Sequence, residues 1–245
     1  MMSDEVIEIS FSSKTGKDIK LISASGVFSP NKTTELLLSA VNKTISKPSK
    51  ILDLGCGTGA VGLSIWFDGL AKEPVCASDL SVPSVNCSQE NFKVYECIAD
   101  VRCGNLFEPW LDEKFNVIID DISGISQDVA SVSPWFKGGV PCDTGSDGTN
   151  LVVDILQNAS KHLLEDGSFF FPVLSLSNVE LILKAAHDNF NRVDLIERQD
   201  WPLPKELEIH MPLLKKLSEK GDIVLEERFG MMLCYTEVYL ARDPY

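Results

Sequence analysis

Short alternating runs open the chain. Val6, Ile7, Ile9 and Phe11 precede a Lys14-Thr15-Gly16-Lys17 turn, and Ile19, Leu21 and Ile22 follow it. A period of two on both sides of a glycine-bearing turn predicts a β-hairpin. Gly26-Val27-Phe28-Ser29-Pro30 then leads into a helix with Leu36, Leu37, Ala40 and Val41 on its apolar side. The Ser46-Lys47-Pro48-Ser49-Lys50 stretch ends that helix. From residue 51 apolar strands at 51–54, 75–79, 98–102, 115–119 and 168–174 alternate with helices near 59–67, 83–96, 149–164 and 178–190. In the last of these helices Val179, Ile182, Leu183, Ala186 and Phe190 recur at helical spacing, laying one stripe against a sheet. Such alternation predicts right-handed crossovers and an α/β, doubly wound, Rossmann-like, mostly parallel sheet.

The tail departs from that rhythm. A strand near 192–197 is followed by a polar helical insert near 205–220, then by Ile223 to Leu225 and Leu233 to Ala241. With no crossover helix directly before it, the last strand is expected to run antiparallel, at an edge, in a seven-stranded sheet. Residues 1–245 are expected to form a single domain, with 1–26 as a hairpin extension and 200–221 as an insert.

The central chemistry lies at Ile51-Leu52-Asp53-Leu54-Gly55-Cys56-Gly57-Thr58-Gly59, with Asp79 at the end of the next strand. A buried strand entering a glycine-rich turn that opens a helix is a nucleotide-type cofactor site. Glycines permit a tight turn and close approach, and the helix offers free N–H groups. Gly55-x-Gly57-x-x-Ala60 and Gly57-x-Gly59-x-x-Gly62 both satisfy the dinucleotide fingerprint, and Asp79 stands at the spacing of a ribose ligand. Asp53 argues otherwise: a carboxylate at the strand mouth repels a pyrophosphate and attracts an ammonium group.

Composition narrows the partners. The 245 residues carry a formal net charge of −14, which opposes extended phosphate-backbone binding. The basic spots at Lys14, Lys17 and Lys20 and at Lys215, Lys216 and Lys220 read as solvated faces. No apolar run reaches membrane-spanning length, and the acidic Met-Met-Ser-Asp-Glu start lacks a secretory pattern. The seven cysteines, at 56, 76, 87, 97, 103, 142 and 234, form no Cys-x-x-Cys pair and read as reduced thiols, with a cytoplasmic location expected and no metal site. His162, His187 and His210 lie singly on predicted helices.

An ammonium, a ribose and no phosphate describe S-adenosylmethionine (SAM). Asp53-Leu54-Gly55-Cys56-Gly57-Thr58-Gly59 with its downstream acid resembles the first motif of the class I SAM-dependent methyltransferases, over about residues 27 to 241. The resemblance implies that Asp53, Gly55, Gly57 and Gly59 hold the methionine moiety and that Asp79 binds the ribose hydroxyls. It also implies that Leu80 and Leu106 flank the adenine and that Asn105 accepts from its amino group. A narrower resemblance is to the small-domain group that includes the release-factor glutamine methyltransferases. Pro30-Asn31-Lys32-Thr33-Thr34-Glu35 is similar to their Pro-Arg-Pro-Glu-Thr-Glu, Gly104-Asn105-Leu106-Phe107-Glu108-Pro109 to their Gly-Asp-Leu-Phe-Glu-Pro, and Ser146-Asp147-Gly148 to their Glu-Asp-Gly.

Where that group has Asn-Pro-Pro-Tyr, this chain has Asp121-Ile122-Ser123-Gly124. A carboxylate accepts hydrogen bonds but lacks the amide donor. Asp120, Asp121 and Ser123 are the candidate acceptor-side residues, with Asp121 and Ser123 as the catalytic pair. Trp135-Phe136 and Trp201-Pro202-Leu203-Pro204 are candidates to border the acceptor's pocket. The resemblance implies methyl transfer, with a protein side chain or small molecule ahead of RNA as acceptor given the acidity. The alternative is a non-catalytic SAM-binding partner subunit.

Overall fold

The hairpin forms where period two predicts it. In the computed structural model, which describes residues 7–12, 16–122, 124–135 and 144–245, β1 (Ile7–Ser12) pairs antiparallel with β2 (Asp18–Ser23), Ile9 opposite Leu21. Ile19 and Leu21 are fully buried. The other edge of β2 is satisfied by side chains. Tyr95 Oη accepts from Lys20 N at 2.7 Å and donates to Lys20 O at 3.0 Å. Asn91 accepts from Ile22 N and donates to Ile22 O, both at 2.8 Å. Asn91 Nδ2 also donates to Thr58 O at 2.9 Å, so one buried amide ties the hairpin to the glycine turn.

The remaining elements in chain order are α1 (Lys32–Thr44), β3 (Ile51–Leu54), α2 (Ala60–Phe67), β4 (Val75–Asp79), α3 (Val82–Val94), β5 (Ala99–Cys103), β6 (Phe115–Asp120), α4 (Gln127–Val132) and α5 (Asn150–Ala159). They continue with β7 (Leu163–Leu174), α6 (Val179–Asn189), β8 (Phe190–Pro202), α7 (Lys205–Glu208), α8 (Met211–Lys220), β9 (Glu226–Arg228) and β10 (Met231–Pro244). The sheet order is β5-β4-β3-β6-β7-β10-β8, with short β9 paired to β10. Strands β3 to β7 pair in parallel, and β10 runs antiparallel to both β7 and β8. The final strand is antiparallel as expected and inserts between β7 and β8, as the family resemblance implies, so the edge suggested by the residue pattern falls to β8. Residues 223–225 form no strand; the short strand before the last is β9.

Each strand splits its side chains between two cores. On one face Leu52, Leu54, Ile118, Phe169, Phe171 and Val173 pack with Val152, Ile155 and Ile182 of α5 and α6. On the other, Ile51, Val117, Ile119 and Phe170 pack with Leu37, Val41, Ala60 and Leu63 of α1 and α2. The stacked rings of Phe169 and Phe171, 5.3 Å apart, anchor the first face. A third cluster joins Ile125 and Val129 to Leu203, Leu207, Leu214 and Leu217, so the insert carrying α7 and α8 packs on α4. No helix among the described residues is long and apolar enough to cross a membrane.

Candidate cofactor and acceptor site

Parallel pairing brings the carboxyl ends of β3, β4 and β6 to one rim, where an open α/β sheet binds its ligands. The glycine turn leaves β3 with Gly55 N and Cys56 N both donating to Ser78 O at 2.9 Å. Gly55, Gly57 and Gly59 have φ of 71°, 51° and 79°, a region costly for other residues. A Cβ on Gly55 would also lie 2.2 Å from Ile122 Cγ1. Gly59 is the N-cap of α2.

Asp79 braces this turn from the next strand. Its Oδ2 accepts from Gly57 N at 2.9 Å and its Oδ1 from Ser81 N at 2.8 Å. Each oxygen keeps a second acceptor site. Gly55, Gly57, Asp79, Leu80, Asn105 and Leu106 all border one cavity of about 200 Å³. Leu80 is 65% exposed, which removes core packing as its explanation. Leu106 adopts a φ of 48°, uncommon for a branched aliphatic residue. Asn105 is exposed at the same rim.

Asp53 sits deeper than the strand-mouth position expected for it. It is fully buried, does not border the cavity, and accepts from Gly62 N at 2.9 Å through Oδ2, while Oδ1 has no partner. Burial, opposed by the Gly62 hydrogen bond and aided by Asp121 and Asp79, pushes its carboxyl up to about 7. The group is thus neither a fixed charge at neutral pH nor at the turn's surface. It braces the first turn of α2 from beneath.

Asp120 and Asp121 divide at the end of β6. Asp120 is fully buried; Oδ1 accepts from Ile122 N at 2.9 Å, Oδ2 is unpartnered, and burial raises its carboxyl well above the usual range. Asp121 borders the cavity, and its Oδ2 accepts from Thr34 Oγ1 at 2.7 Å. Burial raises it to about 7 against the lowering effect of that hydrogen bond. Thr34 Oγ1 in turn accepts from Asn31 N at 3.2 Å, and Asn31 Oδ1 accepts from Thr33 N and Thr34 N, a capping box that starts α1. Ser123 lies outside the described residues, as do Phe136 and Cys142. Cys56 borders the cavity, but burial raises its thiol well above the usual range.

Sequence reasoning did not assign Phe28, Pro30 and Thr34 to the site. All three border the cavity. The Asn31-x-x-Thr34 cap was the available signal, since it places the start of a helix immediately after Pro30. A second cavity of about 260 Å³ is bordered by Trp135, Trp201, Pro202 and Pro204, together with Phe28, which borders both cavities. Leu203 is instead core.

The family described as the methyltransferase small domain matches residues 18–121, a span that includes the glycine turn, Asp79, Asn105 and Asp121. Residues 18–121 are thus similar to the small-domain methyltransferases. Proteins similar to this chain carry names that specify protein and RNA substrates. The release factor glutamine methyltransferase of Thermodesulfovibrio yellowstonii is 30% identical over 64% of this chain and 59% of its own length. The ribosomal protein L11 methyltransferase of Lactobacillus johnsonii is 25% identical over 64% of this chain and 41% of its own. This chain therefore spans less than two thirds of the length of these curated relatives. Among solved structures, the T. thermophilus 16S rRNA N2 G1207 methyltransferase RsmC, in complex with AdoMet and guanosine, superposes with a TM-score of 0.62 at 17% identity. That match covers 99% of this chain and 52% of the other. Trm5b from Pyrococcus abyssi gives 0.55 at 12% identity, over 98% and 57%. These likenesses show the fold.

Proposed function

We propose that the protein binds SAM in the first cavity and transfers its methyl group to a nitrogen or oxygen nucleophile held beside Asp121. The observation that carries the reading is Asp79, whose two oxygens are oriented by Gly57 N and Ser81 N while each retains an acceptor site at the cavity. A vicinal diol matches that pair. Leu80 supplies an exposed apolar wall for a base, and Asn105 an amide at the same rim. The glycine turn leaves room for the amino-acid end, with Asp53 holding the turn in shape.

SAM supplies a methyl carbon already activated by a sulfonium, so alignment of the nucleophile is the main demand on the protein. Asp121 answers it. Thr34 occupies its Oδ2, leaving Oδ1 to orient an N–H or O–H and to take its proton, and a carboxyl near 7 is matched to that task at neutral pH. A protein side chain or a small molecule is preferred over RNA as acceptor because the chain carries a net charge of −14. Titration calorimetry with SAM, its demethylated product and NAD tests the cofactor reading. Tight binding of the first two is expected, and binding of NAD alone would overturn it. Micromolar SAM affinity with no methyl transfer to any acceptor in labelled cell extract would favour the partner-subunit reading instead.

A further inference from the structure

The second cavity is walled by four aromatic residues, Phe28, Trp135, Trp201 and Tyr235, with aliphatic side chains between them. Resting on the SAM reading of the first cavity, we infer that this second cavity holds an uncharged planar ring, aromatic or heteroaromatic, that carries the methyl-accepting atom. Aromatic walls favour a flat ring through stacking. The charge of the walls decides against an ion. No carboxylate is among the described residues bordering the cavity. The one cation among the described residues bordering it, Lys32, is paired with Glu35 at 2.6 Å. Arg198, stacked 3.9 Å from the Tyr235 ring, is already paired with Asp200, Glu226 and Glu237. A charged ligand of either sign would lose its water and, among the described residues, meet no free counter-charge, which is costly.

Two polar side chains on the wall have donors to offer. Asn31 spends its Oδ1 on Thr33 N and Thr34 N, leaving Nδ2. Thr236 Oγ1 accepts from Trp201 Nε1 at 3.2 Å, leaving its own proton. Two donors suit a ring with a carbonyl oxygen or pyridine-type nitrogen. One segment lines both cavities: Phe28 borders both, Pro30 and Thr34 border the first, and Asn31, Lys32 and Thr33 the second. For transfer, a ring seated in the second cavity must present its edge past Phe28 toward Asp121, which Thr34 holds in the first. In the transfer, a lone pair on the ring's nitrogen or oxygen forms the new bond to the methyl carbon. The carbon–sulfur bond breaks with its pair left on sulfur as a neutral thioether, and the heteroatom's proton passes to Asp121.

Ligand-observed NMR titrations on the full chain, saturated with the demethylated cofactor product, test the charge rule on one ring: benzamide, benzoate and phenyltrimethylammonium. Benzamide is expected to bind at least tenfold more tightly than either ion; equal or reversed order overturns the inference. Guanosine, 4-hydroxyquinoline and a short guanine-containing RNA then distinguish a free ring from one borne on RNA. Tighter binding of the oligomer assigns the ring to RNA, and no binding by any of the three overturns the proposal. Asn31→Asp keeps a competent helix cap but removes the donor and adds a charge. It is expected to weaken 4-hydroxyquinoline tenfold while leaving affinity for the demethylated product within twofold, and an unchanged ring affinity counts against the inference. If the demethylated product itself fails to bind, the cofactor reading fails; if it binds and the rings do not, only this inference does.

Discussion

On the proposed SAM reading, Asp79 uses the same two oxygens for structure and for ligand. Replacing it with Ala removes two charge-assisted acceptors, each worth about 1.5–3 kcal/mol, so SAM affinity measured calorimetrically is expected to fall by roughly a hundredfold or more. Asp79→Asn retains one carbonyl acceptor and should fall between wild type and Ala. An Asp79→Ala variant with full affinity would refute the ribose assignment. Asp79 was legible from its spacing after the glycines because strand, turn and acid are contiguous in one βαβ unit. The depth of Asp53 was not. Only the packing of α2 over β3 shows that its carboxylate meets Gly62 N rather than the cavity, and no local pattern records that.

At the scale of elements, the glycine turn and the first turn of α1 carry the site. Gly55→Ala places a side chain at a φ of 71° and into Ile122. The backbone alone costs about 1–2 kcal/mol, so a lower Tm and lost SAM binding are expected together. Thr34→Val removes the hydroxyl shared by Asn31 N and Asp121, and about 1–2 kcal/mol of stability with it. Because that hydroxyl lowers the Asp121 carboxyl, its loss should move the Asp121 titration upward from about 7, visible by carboxyl carbon NMR; Thr34→Ser should restore it. Most elements were readable from their apolar period. The exceptions have physical causes. Ile223 is buried among the insert's leucines, so its apolar character marks packing and not pairing. In α4, six residues give too short a pattern to show a helical period. Thr34 reaches Asp121 across 87 residues of sequence, a distance no motif bridges.

The molecule as a whole gathers acids where water is scarce. Asp53, Asp120 and Asp121 all have carboxyls raised above their ordinary value by burial. The unfolded chain releases these protons near pH 4, whereas the folded chain keeps them until about 7 or above. Stability of the cofactor-free protein should therefore fall as pH rises from about 4 to 7, by on the order of a few kcal/mol per group at most. The net charge of −14 acts in the same direction. Chemical denaturation across that range is expected to show the slope, and Asp53→Asn to flatten it. A slope unchanged in Asp53→Asn would clear Asp53 and leave the effect to Asp120, Asp121 and overall repulsion. Below pH 4.5 the trend reverses, because Glu113, Glu197 and Glu226 have carboxyls held below the usual range by Lys and Arg partners.

The threading of β10 between β7 and β8 has a consequence for synthesis. The strand that joins its two neighbours is made after both of them. While the ribosome adds residues 175–230, β7 waits with one edge unpaired and β8 has no sheet to join. At roughly 5–20 residues per second that interval lasts seconds, long enough for an apolar strand such as Phe169-Phe170-Phe171 to need shielding. A premature stop between residues 175 and 230 would make the interval permanent. Such a product should leave the ribosome with both cores begun and the sheet unclosed, a substrate for chaperones and proteases even though every residue bordering the first cavity has already been made.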